Sequence, residues 1–332
     1  MRAGKLTPDE LNQYVFRHLT QRRPEVILRS ALGEDSTLID LENELCVMST
    51  DPITGAGHHS GWLAVHVSAN DVASNGAEPV CCLLTILAPP DASLHEIELV
   101  MQDAAQAANE LNIEISGGHT EFTDAVTRIV LSTTVVGRVK RQDMLATDGA
   151  KAEDDIIVTK TIGLEGTAIL ATDAEDSIRQ WCSQAESLVA KEMIRKISVV
   201  PEARIATSFG VHAMHDITEG GLLGALFEMA SGAGLGFRLH TEQIPVHPLT
   251  ACICSRLNVD VLRFLSSGSM LISSPNGSQL VELLQSHGIE AQVIGRFTTD
   301  TAKEILVSNL WTPVEPPDGD ELWRGLAKLK KA

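Results

Sequence analysis

One junction between a strand and a helix constrains the fold of this chain more than any other feature. Residues 213–230 read AMHDITEGGLLGALFEMA: a short apolar strand with Asp216 at its end, the pair Gly220-Gly221, and an apolar helix. The first N–H groups of such a helix suit a phosphate group, and the carboxylate beside them suits Mg²⁺. The pattern predicts an α/β unit with a metal–nucleotide site, and an ordinary strand–helix turn is the alternative.

Two further segments carry related chemistry. Asp71 follows Asn70 in a stretch of small apolar residues that predicts a buried helix, where a carboxylate needs a partner. A metal is one such partner, and a backbone group or a lysine is another. Gly117, Gly118 and His119 follow an apolar strand, and paired glycines let the backbone approach a phosphate closely. No Gly-Lys-Ser/Thr follows, so this is not a Walker loop, and a plain turn stays the alternative.

Three weaker candidates complete the set. Asp35 lies in the sequence Gly-Glu-Asp-Ser, which can hold Mg²⁺ or form an ordinary turn. Asp51 ends a predicted strand that Pro52 would stop, and the alternative is a simple turn. Lys160 ends another predicted strand, where it would meet a phosphate or remain a solvated charge.

The length and the order of elements predict two domains. Helical and strand-like segments alternate along all 332 residues, which is typical of an α/β or α+β fold. The segment 147–155 is polar and small and contains no apolar periodicity. We therefore predict one domain over residues 1–148 and a second over residues 149–332.

Composition narrows the partners and the compartment. The net charge of −18 argues against a nucleic-acid surface, which needs clustered Lys and Arg, although it is also what solubility alone would favour. No uncharged apolar run reaches 18 residues, and the first residues lack the apolar core of a signal peptide, so no membrane association is expected. The six cysteines form no C-x-x-C pair, which favours reduced thiols in the cytoplasm. A small-molecule substrate is the expected partner.

Six segments in this order resemble the superfamily of aminoimidazole ribonucleotide (AIR) synthetase. They are GEDS at 33–36, STD at 49–51, NDVASNGAEP at 70–79, GGHTE at 117–121, MHDITEGGL at 214–222 and SSGSMLI at 266–272. The superfamily also contains the hydrogenase-maturation carbamoyl dehydratase, thiamine-monophosphate kinase, selenophosphate synthetase and formylglycinamidine synthetase. The resemblance covers roughly residues 30–300.

The resemblance implies a two-domain AIR-synthetase-like fold and a set of site residues. The N-terminal sheet would pair across a homodimer into a barrel, the larger C-terminal domain would be α/β, and the cofactors would be ATP and Mg²⁺. Motif positions imply these roles: Asp35, Asp71 and Asp216 as metal ligands; Asp51, Asp71, Gly117, Gly118 and His119 as nucleotide contacts; Asp71, His119 and Asp216 as catalytic residues. Lys160 is added as a nucleotide contact from its place after a strand.

The resemblance also implies a reaction class. The expected function is an ATP- and Mg²⁺-dependent ligase, dehydratase or phosphotransferase that activates an oxygen of a small substrate. The carbamoyl dehydratase ends in a reactive Cys, whereas this sequence ends Leu-Ala-Lys-Leu-Lys-Lys-Ala, so it resembles maturation-factor-like proteins without that Cys. One alternative is a non-catalytic nucleotide-binding protein that regulates maturation through a partner protein. Another is a thiamine-monophosphate-kinase-like phosphotransferase, because Gly61-Trp62 matches that enzyme's pattern.

Overall fold

The chain divides into two compact units. The computed structural model describes residues 24, 26–28, 36–54 and 59–329. The N-terminal unit ends at Met144 and the C-terminal unit begins at Leu145, four residues before the end of the first predicted domain. All six cysteines lie in the described part and carry free thiols. None of the helices in the described part is both long and apolar enough to cross a membrane.

The N-terminal unit is a mixed sheet with two helices. Its strands pair in the order β1-β2-β3-β6-β4-β5, where β4 and β5 are parallel and all other pairs are antiparallel. The helix between β4 and β5 makes the crossover that a parallel pair needs. The elements are β1 Val26–Leu28, β2 Ser36–Asp40, β3 Leu45–Ile53, α1 Ser60–Ser74, β4 Glu78–Ala88, α2 Leu94–Leu111, β5 Glu114–Phe122 and β6 Val130–Val139.

The two faces of this sheet differ. Helix α1 packs against β3, β4 and β6, and Val47, Ile86 and Leu131 on that face are fully buried. Side chains alternate between faces along a strand, so Met48 and Leu83 lie on the opposite face. Leu83 is 47% exposed, and none of the described helices of this unit covers that face. The described helices of this unit thus cover one face of the sheet and leave the other face uncovered.

Gly61 allows α1 to lie against α2, and its replacement should be costly. A Cβ at Gly61 would lie 2.1 Å from the Val100 carbonyl oxygen and 2.9 Å from the Ala104 amide nitrogen. Because both contacts are with backbone, Gly61→Ala forces the helices apart, and we expect it to lower the free energy of unfolding by about 3 kcal/mol. Urea unfolding measures this. Gly117→Ala is the control, since its Cβ meets only a Leu83 methyl at 3.2 Å; an equal loss in both variants would contradict the packing argument.

The C-terminal unit is a larger, almost wholly antiparallel sheet with helices. Its strands pair in the order β13-β12-β9-β11-β7-β10-β8, and only β12 and β9 are parallel among them. The strands are β7 Asp155–Thr159, β8 Ala213–Ile217, β9 Gly236–His240, β10 Ser269–Ser274, β11 Ala291–Thr298, β12 Lys303–Val307 and β13 Leu310–Pro313. The helices are α3 Leu164–Asp173, α4 Glu175–Ile178, α5 Gln184–Glu192, α6 Val200–Phe209, α7 Gly221–Ala233, α8 Pro248–Leu257, α9 Gly277–Ser286 and α10 Glu321–Leu329.

Helices cover both faces of this second sheet. Helix α7 contacts β8, β9 and β10, whereas α9 contacts β7 and β11. The three successive residues Ile156, Ile157 and Val158 of β7 are all fully buried, as expected for a strand covered on both sides. The two-domain α/β architecture predicted from the sequence is confirmed.

Candidate functional site

Asp71 lies in the buried helix that the sequence predicts. Helix α1 carries it near its C-terminal end, where the residue is 6% exposed and the neighbouring Asn70 is fully buried. Ser49 of β3 donates a hydrogen bond from its Oγ to Asp71 Oδ2 at 2.5 Å. Ser68 Oγ donates to the Thr133 carbonyl at 3.1 Å and ties the same helix to β6. The Asp71 carboxylate is therefore held in a fixed orientation against the sheet.

Asp51 does not end its strand, so this part of the prediction is wrong. Strand β3 continues through Pro52, which lies opposite Ser132 of β6. The pairing of β3 with β2 stops at Ser49, so β3 has a strand on only one side at Pro52 among the described residues. A proline is tolerated there because no neighbouring strand requires its missing N–H. Asp51 itself is partly exposed.

The glycine pair lies within a strand and not in a turn after it. The strand that the sequence predicts before the glycine pair extends to Phe122, so β5 includes Gly117, Gly118 and His119. A Cβ at Gly118 would lie 1.9 Å from the Leu84 carbonyl oxygen, so glycine is needed for β5 to approach β4. His119 is exposed, and its Nε2 lies 3.2 Å from Glu121 Oε2. An exposed pair of this kind contributes little to stability.

Asp216 is more deeply buried than Asp71, the other predicted metal ligand among the described residues. The sequence places it at the end of a strand, but β8 extends past it and pairs Asp216 with Met270 of β10. His215 Nδ1 lies 3.8 Å from Asp216 Oδ1, and His215 Nε2 lies 2.9 Å from Glu228 Oε2. Burial alone would lower the pKa of His215, but these two carboxylates outweigh it and raise the pKa to about 10. The His215 imidazolium therefore compensates the buried charge of Asp216.

The turn before α7 is held by a carboxylate of the protein itself. Gly220 has a φ of 83°, which favours glycine, and its N–H donates to Asp320 Oδ2 at 2.8 Å. The N–H of Gly221 donates to the Thr218 carbonyl at 3.1 Å. The sequence predicts that a phosphate takes these donors, but here both are engaged. A phosphate at this junction would have to use other groups.

Glu165 is a site candidate that the sequence analysis misses. It lies in the first turn of α3, where it is 6% exposed, and burial raises its pKa to about 7. Ser267 hydrogen-bonds to it and opposes that rise, while the charges of Asp320, Glu219 and Asp216 add to it. The missed signal is the one that identifies Asp71: an acidic residue on an otherwise apolar helix.

Lys160 is bound within its own unit. Its Nζ lies 2.8 Å from Glu202 Oε1, and it donates to the carbonyls of Ser198 at 2.6 Å and Lys196 at 3.0 Å. Glu202 is 2% exposed and also accepts a hydrogen bond from Thr159 Oγ1. Burial lowers the pKa of Lys160, and the charge of Glu202 opposes this. Lys160 is thus neither a solvated charge nor a free donor, because three acceptors occupy its three N–H bonds.

The predicted metal ligands lie in different parts of the chain. Asp71 belongs to the N-terminal unit and Asp216 to the C-terminal unit, while Asp35 lies outside the described residues. Within the described ranges, no group of three or more His, Cys, Asp or Glu side chains is placed to hold a metal ion. The donor chemistry still fits Mg²⁺, because carboxylate oxygens are the ligands that this hard cation prefers.

Both halves of the chain match one protein family. The N-terminal domain of the AIR synthase related proteins matches residues 33–139, and the C-terminal domain of the same family matches residues 151–308. These two matches contain every predicted site residue, Lys160 included.

Three known proteins illustrate the similarity. A Methanocaldococcus jannaschii protein named for hydrogenase expression and formation is 28% identical over 88% of this chain and 88% of its own length. The carbamoyl dehydratase HypE of Bradyrhizobium diazoefficiens is 28% identical over 81% of this chain and 79% of its own. A crystal structure of the hydrogenase maturation protein HypE in complex with ATP superposes with a TM-score of 0.72 at 20% identity, covering 97% of each chain. At that identity the superposition establishes the fold.

Proposed function

The chain belongs to the AIR synthase related protein family, and we propose that it is an enzyme that uses ATP and Mg²⁺ to activate an oxygen atom of a small substrate. Three similarities support the proposal: a relative named for hydrogenase formation, a relative that is a carbamoyl dehydratase, and a similar structure that holds ATP. Dehydration of a carbamoyl group requires its oxygen to leave, and phosphorylation makes that oxygen a good leaving group. The proposed chemistry is therefore of the hydrogenase-maturation type.

The observation that carries this proposal is a buried motif carboxylate in each unit. Asp71 is 6% exposed and Asp216 is 2% exposed. Carboxylate oxygens are the ligands that Mg²⁺ prefers, so two buried aspartates in motif segments favour a metal-binding role, although Ser49 and His215 already contact them. We propose that Asp35, Asp71 and Asp216 are each Mg²⁺ ligands. Bound there, Mg²⁺ would neutralise phosphate oxygens and orient the γ-phosphoryl group.

The nucleotide contacts are proposed on the edge strand of the N-terminal sheet. Strand β5 has a strand partner on one side only among the described residues, so alternate backbone N–H groups along Gly117, Gly118 and His119 face away from β4. Outward N–H groups of this kind suit a phosphate chain. Asp51 is proposed to contact the nucleotide as well, and His119 to act at the reacting groups. We leave Lys160 out of the proposed site because its ammonium is already satisfied.

The oligomeric state, the partners and the cellular compartment are proposed from the protein surface and the composition. The uncovered face of the N-terminal sheet, with the 47% exposed Leu83, supports pairing with a second copy into a homodimer. The net charge of −18 favours a small molecule or a protein partner of maturation over a nucleic acid. Free thiols favour a reducing compartment such as the cytoplasm.

One alternative is a protein that binds the nucleotide without catalysing a reaction. The N–H groups of Gly220 and Gly221 and the ammonium of Lys160 are all engaged within the protein. With these donors engaged, fewer groups are left to stabilise a transferring phosphoryl group, which favours a nucleotide-binding regulator of maturation. The thiamine-monophosphate-kinase alternative has weaker support, because the packing of α1 on α2 already explains Gly61.

One labelling experiment separates the three functions. The protein is incubated with Mg²⁺ and ATP labelled at the γ-phosphate, with a carbamoyl thioester, with thiamine monophosphate, or with neither. The proposed function predicts that free phosphate release is stimulated by the carbamoyl compound and lost in Asp216→Asn. Label transferred to thiamine monophosphate would establish the kinase, and nucleotide binding without any label release would establish the regulator.

A further inference from the structure

The C-terminal helix α10 lies outside both family matches, yet Asp320, the residue before it, hydrogen-bonds to two motif loops. The match to the C-terminal family domain ends at residue 308, whereas α10 spans Glu321–Leu329. Asp320 stands immediately before this helix and is 6% exposed. It is placed where a helix-capping aspartate is expected, and it accepts the N–H of Leu322 at 2.7 Å. Its other hydrogen bonds reach much further along the chain.

Asp320 joins two loops that belong to the family motifs. Its Oδ2 accepts the N–H of Gly220 at 2.8 Å, which fixes the turn that follows Asp216. Its Oδ1 accepts the N–H of Leu265 at 3.2 Å, at the start of the loop that carries Ser267. One buried carboxylate therefore fixes the relative position of both loops. The loops lie 100 and 55 residues before it in the chain.

Each loop leads directly to a buried acidic side chain. The Gly220 turn follows Asp216 and Glu219, and the second loop supplies Ser267, which hydrogen-bonds to Glu165. A shift of either loop would therefore move an acidic group of the candidate site. Pro317 lies against the same turn, since a Cβ added at Gly220 would meet the proline ring at 3.4 Å.

Helix α10 is anchored by contacts that do not involve Asp320. Leu322 is 2% exposed in a core cluster, and Leu326 packs against that cluster. At the far end of the helix, Lys328 Nζ donates to the carbonyls of Leu257 at 2.7 Å and Asn258 at 2.8 Å, at the C-terminal end of α8. Cations are favoured at helix C-termini. The helix is thus fixed at both ends, and only one end touches the motif loops.

We propose that Asp320 is a positioning residue for the Mg²⁺–ATP site. It holds the Gly220 turn and the Leu265 loop and thereby fixes the segment of Asp216, which would hold the metal. The identity of the ligand in this proposal rests on the proposed function. The contacts of Asp320 do not depend on it, because they are seen in the structure. Asp320 accepts three N–H groups from within the protein, so its role is to orient other groups and not to bind the nucleotide. Helix α10 is accordingly part of the site's support.

The test compares Asp320→Asn with Lys328→Met. The amide of Asn keeps the size of Asp but retains one acceptor oxygen, so it cannot accept from both Gly220 and Leu265. Lys328→Met removes the anchor at the other end of the same helix and leaves both loops untouched. We expect both variants to fold and to lose similar amounts of thermal stability.

Two readouts distinguish positioning from general support. Without nucleotide, hydrogen exchange should become at least 10-fold faster in Asp320→Asn at whichever of the Gly220 and Leu265 amides loses its acceptor oxygen, and it should stay unchanged at both amides in Lys328→Met. The Kd for ATP in the presence of Mg²⁺ should rise roughly 10-fold in Asp320→Asn only. Equal changes in the two variants would overturn the proposal. If the wild-type protein binds no nucleotide, the proposed function fails, while the exchange measurement still tests the role of Asp320.

Discussion

Asp71→Asn should reduce ATP-dependent phosphate release roughly 100-fold or more, with little change in the unfolding temperature. Loss of one charged group that stabilises a transition state typically costs a factor of this size. The substitution preserves shape, and the Asn carbonyl oxygen can still accept the hydrogen bond that Ser49 Oγ donates to the carboxylate. The helix, its packing and the sheet should therefore survive, while the negative charge for the metal is lost.

Steady-state phosphate release with saturating Mg²⁺ measures this effect, and circular dichroism monitors the fold. Asp91→Asn is the matched control, because Asp91 is an exposed aspartate of the same unit. Ser49→Ala should lie between the two, since it keeps the charge but removes the hydrogen bond that orients it. Wild-type turnover in Asp71→Asn would show that this carboxylate is not a metal ligand.

Glu165→Gln should stabilise the metal-free protein at pH 8 but hardly at pH 5. Burial raises the pKa of Glu165 from 4.5 to about 7, with added repulsion from Asp320, Glu219 and Asp216. Between pH 4.5 and about pH 7, the folded chain binds more protons than the unfolded chain. The free energy of unfolding therefore falls as the pH rises through this range. Below 4.5 the carboxyl is protonated in both states and has no such effect.

The expected stabilisation by Glu165→Gln follows from the difference between the two pKa values of Glu165. The interval from 4.5 to about 7, at about 1.4 kcal/mol per pH unit, gives ~3 kcal/mol of destabilisation above pH 7. Glutamine carries no charge at any pH and can still accept a hydrogen bond from Ser267. Urea unfolding at pH 5 and pH 8 should give a gain below ~1 kcal/mol at the lower pH and ~3 kcal/mol at the higher.

The control for this prediction is Glu282→Gln, an exposed glutamate on α9 of the same unit. It should change the free energy of unfolding by less than ~0.5 kcal/mol at both pH values. A gain for Glu165→Gln that is the same at pH 5 and pH 8 would show that packing, and not the buried charge, is the cause.

The elements with strong local patterns could be predicted from the sequence. Helix α2 at Leu94–Leu111 has the apolar periodicity of an amphipathic helix, and its Ser93–Glu96 capping box closes the N-terminus. Helix α8 has no such pattern, because Thr250, Cys252 and Cys254 are weak helix formers. It is held by packing, since Cys254 belongs to a buried cluster. Local propensity could not show that contact.

Site residues could be predicted where their surroundings come from neighbouring residues in the sequence. They could not be predicted where their partners lie far away along the chain. The carboxylate of Asp71 could be placed because its own helix is apolar. The roles of Lys160 and Asp320 depend on partners 36 to 100 residues away, such as Glu202 and Gly220. Nothing near Lys160 in the sequence indicates that two carbonyls and a buried glutamate take its N–H bonds. Long-range contacts of this kind decide which polar groups remain available to a ligand.

Thermal unfolding in the presence of ATP and Mg²⁺ determines whether the protein has a metal–nucleotide site. The protein is unfolded alone, with ATP, with Mg²⁺, with both, and with AMP and Mg²⁺. A ligand present at about 100 times its Kd adds ~2.7 kcal/mol of stability, so a clear rise in Tm is expected. We expect the Tm of the wild-type protein to rise only when ATP and Mg²⁺ are both present. The Tm of Asp216→Asn should not rise. An unchanged Tm at millimolar ATP and Mg²⁺, or a rise that is the same without Mg²⁺, would contradict a metal–nucleotide site.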